Sequence, residues 1–261
     1  MIKKDLGKFF VNQNVMFDIK SFHFLILWLW FVWSTLSLAL TKWWSKKITL
    51  VDYDIVEEKN ISNQFYNLEN INKLKTESLL KNLEKENIST KINKLNLNLN
   101  DNKNLKFILK FIEKNLKISD EKFVLIIALD DLILRKKIYN EIKEINKLDK
   151  LSIIDIRTNQ ELVYIKSLFS YNLKNNYNNN CKEKYIKTIK NEIEKLTQEI
   201  NEEEIDKEKI CWVKNTYFYW QLISWLTLNN LKNYLFNKKS FKDIVFFFNE
   251  FYLYSKNEIK C

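Results

Sequence analysis

The chain has 261 residues, 46% of them hydrophobic and 29% charged, which predicts a globular protein of one large or two small α/β domains. The formal net charge of +10 comes from lysines scattered along the whole length, so we expect no nucleic-acid partner. The three cysteines form no C-x-x-C pair, which argues against a structural zinc site and favours a reducing, cytoplasmic location.

The glycine and proline content is abnormal, with one glycine and no proline. An average chain of this length would carry about 18 glycines and about 13 prolines. Glycine is needed wherever the backbone takes a positive φ or approaches a ligand closely. An α/β protein with eight tryptophans and one glycine therefore raises the question of what replaces glycine at its tight turns.

The first 170 residues alternate between predicted strands and predicted helices. Apolar runs predict strands at residues 23–27, 47–52, 90–98, 122–131, 150–157 and 161–169. Amphipathic segments predict helices at residues 34–44, 71–87, 102–115 and 132–142. This alternation predicts a Rossmann-like, doubly wound and mostly parallel sheet with helices on both faces.

The character of the chain changes after Ser170. A polar linker is followed by a charged helical stretch, an apolar helix that would pack on the sheet, and a strand-like tail, at residues 171–180, 182–209, 217–236 and 241–256. We predict an N-terminal arm over residues 1–21 and a nucleotide-binding core over 22–170. Residues 171–261 would add the linker, the charged helix and the C-terminal packing elements to the same domain.

Residues 22–40 carry almost no charge and, judged alone, favour a single-pass membrane protein. The segment breaks at serines and threonines and leads into a predicted strand, so we interpret it as strand, turn and helix, with no membrane partner. In that frame Trp28, Trp30 and Trp33 stand where a G-x-G-x-x-G phosphate-binding turn has its glycines.

We therefore predict that Trp28, Trp30 and Trp33 are glycine positions written as tryptophan, because some bacteria read the codon UGA as glycine. An indole at each point would fill the space that a phosphate needs. TGG codons at these positions would contradict the prediction. The alternative is a tryptophan-rich core or interface.

With glycines restored, the sequence resembles the ThiF/MoeB and ubiquitin-activating-enzyme superfamily of ATP-dependent adenylyltransferases. The shared motifs are the glycine-rich turn, D-x-D-x-V-E at 52–57, an N-x-x-R-Q pattern at 60–64 and a lysine on the next helix. The I-D-x-R segment at 154–157 and the C-terminal helix resemble shorter ThiF-like proteins of bacterial and phage gene clusters. Trp44, Trp220 and Trp225 also stand where the family often has glycine.

The resemblance implies roles for the residues that would surround the nucleotide. Asp52 would accept hydrogen bonds from the ribose hydroxyls, and Asp54 would either contribute to the nucleotide site or only shape the loop. Asn60 and Gln64 match the polar pair of the family near the triphosphate. Lys75 matches the lysine that neutralises charge at the α-phosphorus, with Lys73 as the alternative.

The resemblance also implies a magnesium site at the end of the predicted strand 122–131. Asp130 would support Mg²⁺ between phosphate oxygens. Asp130, Asp131 and Arg135 together form a D-[DN]-x-x-x-R pattern. The resemblance implies that Asp131 is one of the nucleotide-binding residues and that Arg135 orients the loop.

The sequence departs from the family pattern at Asn63, where relatives have the arginine of N-x-x-R-Q. Asparagine supplies no positive charge to a triphosphate. The arm also lacks the arginine that relatives lend across a dimer, although lysines at positions 3, 4 and 8 could replace it. Cys211 matches a cysteine that precedes the last core helix in the shorter ThiF-like proteins. Larger relatives use a cysteine to accept the activated acyl group as a thioester, and a buried structural thiol is the alternative for Cys211. His23, the single histidine, is interpreted as a strand residue.

Taken as a whole, the resemblance implies an enzyme that uses ATP and Mg²⁺ to adenylate the C-terminal carboxylate of a ubiquitin-like or sulfur-carrier protein. Relatives are commonly dimers, so the resemblance also implies a homodimer. One alternative is a catalytically weakened nucleotide-binding scaffold or partner subunit. Another alternative is an NAD-dependent oxidoreductase. That function would leave the "NISNQ" segment unexplained, and this sequence lacks the Tyr-x-x-x-Lys catalytic pair in a suitable place.

Overall fold

A computed structural model describes eleven segments of the chain: residues 22–27, 31–43, 45–86, 89–118, 122–129, 131–158, 162–170, 179–203, 217–235, 240–247 and 252–257. The strands are β1 (Phe22–Leu27), β2 (Lys47–Asp52), β3 (Lys91–Asn96), β4 (Lys122–Ile127), β5 (Leu151–Thr158), β6 (Leu162–Leu168), β7 (Phe241–Phe247) and β8 (Tyr252–Asn257). The helices are α1 (Phe31–Lys42), α2 (Glu58–Ile61), α3 (Lys75–Glu86), α4 (Asn102–Ile118), α5 (Leu132–Lys143), α6 (Asn179–Glu203) and α7 (Tyr217–Leu235).

The described strands form one eight-stranded sheet in the order β3-β2-β1-β4-β5-β6-β7-β8. The first five strands in this order are parallel, and β6, β7 and β8 add to them in antiparallel fashion. The order 3-2-1-4-5 is that of a Rossmann-like sheet. The predicted fold class is therefore confirmed.

Helices cover both faces of the sheet, which explains why the central strands are apolar throughout. One core cluster joins one face of the sheet to α1, α3 and α7, with Leu36, Leu79 and Ile223 among its members. The second cluster joins the other face to α4, α5 and α6, with Ile108 and Ile138 among its members. Because consecutive strand residues face opposite sides, the alternating members of β1 fall into different clusters.

The chain runs from β1 outward to β2 and β3 and then returns to β4, which lies on the other side of β1. This return creates a switch point at the carboxyl ends of β1 and β4, where open α/β sheets bind their ligands. The ends of β2 and β4 lie on the same edge because both strands are parallel to β1. The residues that follow these strands are therefore brought together.

The charge-poor run at 22–40 is a strand followed by a helix, because β1 ends at Leu27 and α1 begins at Phe31. The strand–helix interpretation of this run is confirmed. In the described part of the chain, no helix has the length and apolar character needed to cross a bilayer. The strand-like tail consists of β7 and β8, which pair with each other.

Positive φ angles occur in the described residues at Asn72 (64°) and Lys147 (66°), and neither is a tryptophan. Asparagine tolerates this conformation better than most residues. Trp225 lies on α7 and is 59% exposed. Trp28, Trp30 and Trp44 lie outside the described residues, as do the side chains of Trp33 and Trp220, so the glycine interpretation stays a prediction.

Candidate active site

Two acidic residues follow β2 at the carboxyl edge of the sheet. Asp52 ends the strand and is 1% exposed. Its Oδ1 accepts the backbone N–H of Asp54 at 2.8 Å, which turns the chain away from the strand direction. Tyr53 lies between them and is 37% exposed. Burial and the charges of Asp54, Asp52 and Asp131 raise the pKa of Tyr53. Asp131 follows β4, which is parallel to β1 and β2, so it lies at the same edge as the D-x-D segment.

Lys75 is the first residue of α3 and forms an ion pair with Asp54. Its Nζ lies 2.9 Å from Asp54 Oδ2, and the lysine side chain is 4% exposed whereas that of Asp54 is 32% exposed. The backbone N–H of Lys75 donates to the Asp54 carbonyl at 2.9 Å. Since Lys73 is exposed, the geometry favours Lys75 over Lys73 as the lysine of the site.

The segments that carry Asp54 and Lys75 are held together by the main chain. Val56 donates to the Lys73 carbonyl at 2.8 Å, and Asn72 donates to the Val56 carbonyl at 2.9 Å. The hydroxyl of the buried Tyr66 donates to the Lys75 carbonyl at 3.5 Å. Burial, reinforced by nearby carboxylates, raises the pKa of Tyr66, so this phenol stays protonated. The start of α3 is therefore fixed relative to the end of β2.

The polar segment "NISNQ" packs against α1. Asn60 is buried, and its Oδ1 accepts the backbone N–H of Glu57 at 2.8 Å, so Asn60 shapes the short helix α2. Phe65, directly after the segment, donates its N–H to Ser34 Oγ of α1 at 2.8 Å. This contact places residues 60–65 beside the helix that follows the predicted phosphate-binding turn.

Gln64 is 3% exposed, yet neither atom of its side-chain amide has a hydrogen-bond partner among the described residues. The same holds for the side-chain oxygen of Asn63. A buried amide without a partner is costly, and such groups usually meet a ligand or water. The position of Gln64 beside α1 therefore fits a polar ligand such as a nucleotide phosphate.

Asp131 caps the N-terminus of α5. Its Oδ1 accepts the backbone N–H of Leu134 at 2.9 Å. Arg135, in the first turn of the same helix, is buried and donates to the carboxylate of Asp155 and to the Leu129 carbonyl. The prediction that Arg135 orients this turn is consistent with these contacts.

Several predicted site residues lie outside the described residues, namely Trp28, Trp30, Asp130, Cys211, Lys3, Lys4 and Lys8. Within the described part of the chain, no three residues of the His, Cys, Asp and Glu types lie close enough together to hold a metal ion. Magnesium in nucleotide sites is often bound through one or two carboxylates together with phosphate oxygens. The edge carboxylates are of the type that such an ion needs.

His23 lies on the strand β1, as predicted, and its side chain is buried. Its Nε2 lies 2.8 Å from Thr49 Oγ1, and its ring packs against Phe111 and Phe123. Burial, aided by the charge of Lys47, lowers the pKa of His23 to about 3. The imidazole is therefore neutral near pH 7 and is not part of the site.

Three structural contributors were not assigned a role from sequence. Ser34 and Tyr66 act through main-chain contacts that depend on the folded backbone, and no sequence signal identifies them. Asp155 belongs to the I-D-x-R segment, which pointed to the family. That motif gave no sign that the Asp155 carboxylate would contact Arg135.

Comparison with known proteins identifies the family. The model of the ThiF family matches residues 11–147, which is more than half of the chain. Solved structures of similar fold include E. coli MccB with ATP, at a TM-score of 0.63 and 16% identity over 92% of this chain and 64% of that chain. They also include MccB with N-formylated MccA, at a TM-score of 0.62 and 15% identity over 92% and 65%.

PaaA has a similar fold at a TM-score of 0.59 and 11% identity, over 93% of this chain and 66% of that chain. This chain thus spans slightly less than two thirds of the length of these proteins. No curated protein sequence matches the chain. On the match to the family model and the agreement in fold, the chain belongs to the ThiF family.

Proposed function

We propose that the chain is an ATP-dependent adenylyltransferase that activates the C-terminal carboxylate of a ubiquitin-like or sulfur-carrier protein. Membership of the ThiF family and the likeness in fold to MccB, which has been solved with ATP, support adenylyl transfer. The observation that carries the proposal is the ion pair between the buried Lys75 and the partly exposed Asp54, next to the buried Asp52 at the carboxyl edge of the sheet.

The nucleotide would bind across this edge. Asp52 would accept hydrogen bonds from the ribose, as a carboxylate at the end of the second strand does in Rossmann-like sites. The side-chain amide of Gln64, which has no hydrogen-bond partner in the described part of the chain, would contact the phosphates. The turn at Trp28, Trp30 and Trp33, if written with glycines in the gene, would offer backbone N–H groups to the same phosphates.

The reaction joins a carboxylate oxygen of the acceptor to the α-phosphorus and breaks the bond between that phosphorus and the bridging oxygen of pyrophosphate. No general base is needed, because the nucleophile is already a carboxylate. Lys75 would neutralise the charge that develops on the phosphate oxygens, and Asp54 holds its Nζ in place before binding. Bound Mg²⁺, supported by Asp130, would supply further charge neutralisation.

Asn63 favours a second candidate, a nucleotide-binding scaffold with little or no turnover. It stands where the family has an arginine, and its side-chain oxygen has no hydrogen-bond partner in the described part of the chain. Loss of a cation beside the triphosphate would weaken stabilisation of the transition state more than binding of the ribose. This candidate predicts ATP binding without chemistry.

The identity of the acceptor protein and the homodimer are both inferred from the family resemblance. Solved structures show MccB in complex with MccA, so a terminus other than that of a ubiquitin-like protein is an alternative acceptor to test. The homodimer and the cytoplasmic location stay predictions.

The test is incorporation of labelled pyrophosphate into ATP. The acceptors would be a synthetic peptide ending in Gly-Gly and the small proteins encoded beside the gene, each with a free and with an amidated C-terminus. We expect exchange with the free carboxylate and none with the amide. ATP binding without exchange on any acceptor would favour the scaffold, and absence of both would refute the family activity for this chain.

A further inference from the structure

Helix α4 exposes a row of positive charges along most of its length. The exposed lysines of this row are Lys103, Lys106, Lys110, Lys114 and Lys117. At about 100° per residue these positions fall within about 80° of arc, and we call them the lysine stripe. The opposite side of α4 is apolar, with Ile108 and Ile112 buried in the second core cluster. The helix therefore packs through one face and presents a basic face to solvent.

The uniform sign of the stripe is unfavourable for the helix itself. Its members follow one another at intervals of three or four residues, the spacing at which like charges on a helix repel. Within the described part of the chain, no side chain of the stripe forms an ion pair or a hydrogen bond. By contrast, α3 exposes Lys81 and Lys85 together with Glu84, so its surface carries both signs. The stripe is therefore a surface that a negatively charged partner would stabilise.

Helix α4 begins at the edge of the sheet that carries the candidate active site. Strand β3 is parallel to β2, so the chain leaves both strands at the carboxyl edge. Leu97, directly after β3, donates its N–H to the Asp52 carbonyl at 3.3 Å. From Lys103 to Lys117 the stripe extends about 21 Å from this edge, a length comparable to the body of a small protein.

The make-up of this surface favours an acidic protein over nucleic acid or a membrane. Phe107 lies on the same side of α4 and is 51% exposed, which offers an apolar anchor of the kind found in protein interfaces. Arginine is the residue best suited to bind phosphates in pairs of hydrogen bonds, but both arginines of the sequence contact Asp155. A helix that lies on a membrane turns its apolar face outward, whereas that of α4 is in the core.

We propose that the lysine stripe and Phe107 dock the folded body of the acceptor protein through an acidic surface of that protein. The proposal rests on the proposed function, because adenylation requires the acceptor to hold its C-terminal carboxylate at the edge where α4 begins. Opposite charges would speed the encounter and select the partner. The stripe takes no part in the chemistry, so its loss should raise the KM for the acceptor and leave kcat unchanged.

The experiment compares charge reversal on α4 with a matched reversal on α6. Lys110→Glu combined with Lys114→Glu reverses the centre of the stripe. Lys187→Glu combined with Lys190→Glu makes the same change of net charge on α6. Pyrophosphate exchange is measured with the small proteins encoded beside the gene and with a synthetic peptide ending in Gly-Gly, which has no folded body.

The two double variants should differ only with a folded acceptor. The α4 variant should raise the KM for that acceptor at least about tenfold and keep kcat within about twofold of the wild type. The α6 variant should keep both constants within about twofold of the wild type. With the Gly-Gly peptide, both variants should match the wild type. Phe107→Ala should raise the KM for the folded acceptor by about fivefold.

Titration of the same small proteins without ATP provides a readout that does not depend on turnover. The Kd of the folded acceptor should rise at least about tenfold in the α4 variant, and added salt should weaken binding to the wild type. Circular dichroism checks that the variants fold. If the α4 reversal does not fold, Lys110→Ala combined with Lys114→Ala replaces it, with an expected rise in Kd of about threefold.

Equal constants for the α4 and α6 variants with the folded acceptor would overturn the proposal, as would exchange with the peptide and with no folded protein. Tighter binding of the wild type to a DNA duplex or to phosphatidylserine vesicles than to any of the small proteins, lost in the α4 variant, would also overturn it. A wild type without pyrophosphate exchange would refute the proposed function, and the titration would then still decide whether the stripe binds an acidic protein.

Discussion

The carboxyl edge of the parallel strands and the antiparallel end of the sheet both bury polar side chains, but the two regions differ in how fully these side chains are hydrogen-bonded. At the antiparallel end, Glu192 of α6 accepts from Lys166 and Lys242 at 3.1 Å each, and Asp243 accepts from the Tyr164 hydroxyl at 2.6 Å. At the carboxyl edge, the buried amide of Gln64 has no partner among the described residues.

This difference supports the proposal that the carboxyl edge binds a ligand and that the charged cluster around Glu192 is structural. Burial would raise the pKa of Glu192, but hydrogen bonds from Lys242 and Lys166 and the charge of Lys166 outweigh it and lower the pKa to about 2. That carboxylate is ionised and committed to its partners. Within the described segments the side chain of Gln64 makes no hydrogen bond, which suits a group that meets a ligand.

The largest expected effect follows from removing the cation of the site. Lys75→Met should reduce pyrophosphate exchange by about 100-fold to 1,000-fold, because charge at the α-phosphorus would lose its neutralising partner. The control is Lys94→Met, which breaks the exposed Lys94–Glu77 pair close to α3. Similar rates for the two variants would contradict the role of Lys75.

Changes to the charged cluster around Glu192, at the antiparallel end of the sheet, should lower the stability of the protein and leave its activity unchanged. Glu192→Gln should lower the free energy of unfolding by about 3 kcal/mol, because it removes the charge of the nearer carboxylate and leaves the buried Lys166 and Lys242 only the more distant carboxylate of Asp243. Glu77→Gln, at the exposed pair with Lys94, should lower the free energy of unfolding far less, because solvent already screens that pair. Urea denaturation measures both, and equal losses would remove the distinction between buried and exposed pairs.

The core histidine predicts a dependence of stability on pH. The pKa of His23 is about 3 in the folded protein, below its usual value of 6.5, so the unfolded chain takes up the proton as the pH falls through 6.5. Between pH 7.5 and pH 5 this should remove about 2 kcal/mol of stability. In His23→Gln this component of the loss should be absent, whereas an unchanged pH profile would contradict a buried neutral imidazole.

The smallest effect is expected at Asp52, the proposed ribose contact. Asp52→Asn keeps an oxygen that can accept the Asp54 N–H but removes the negative charge. The KM for ATP should rise by about tenfold with kcat nearly unchanged, because the contact is made equally in the ground and transition states. A fall in kcat with unchanged KM would assign Asp52 a different role.

Much of the parallel half could be predicted from sequence, because fully buried strands appear as continuous apolar runs and amphipathic helices separate them. The direction of β6 could not, since an apolar run is compatible with either orientation. The choice between Lys73 and Lys75 depended on where α3 begins. The Arg135–Asp155 contact joins residues on different elements, and local sequence patterns do not encode such pairs.

Isothermal titration of ATP in the presence of Mg²⁺ tests the central claim most directly, because it needs no acceptor. We expect one ATP per chain, with binding weakened at least about tenfold in Lys75→Met and Asp52→Asn and unchanged in Lys94→Met. Absence of binding, or equal binding by all four proteins, would contradict a nucleotide site at this edge of the sheet.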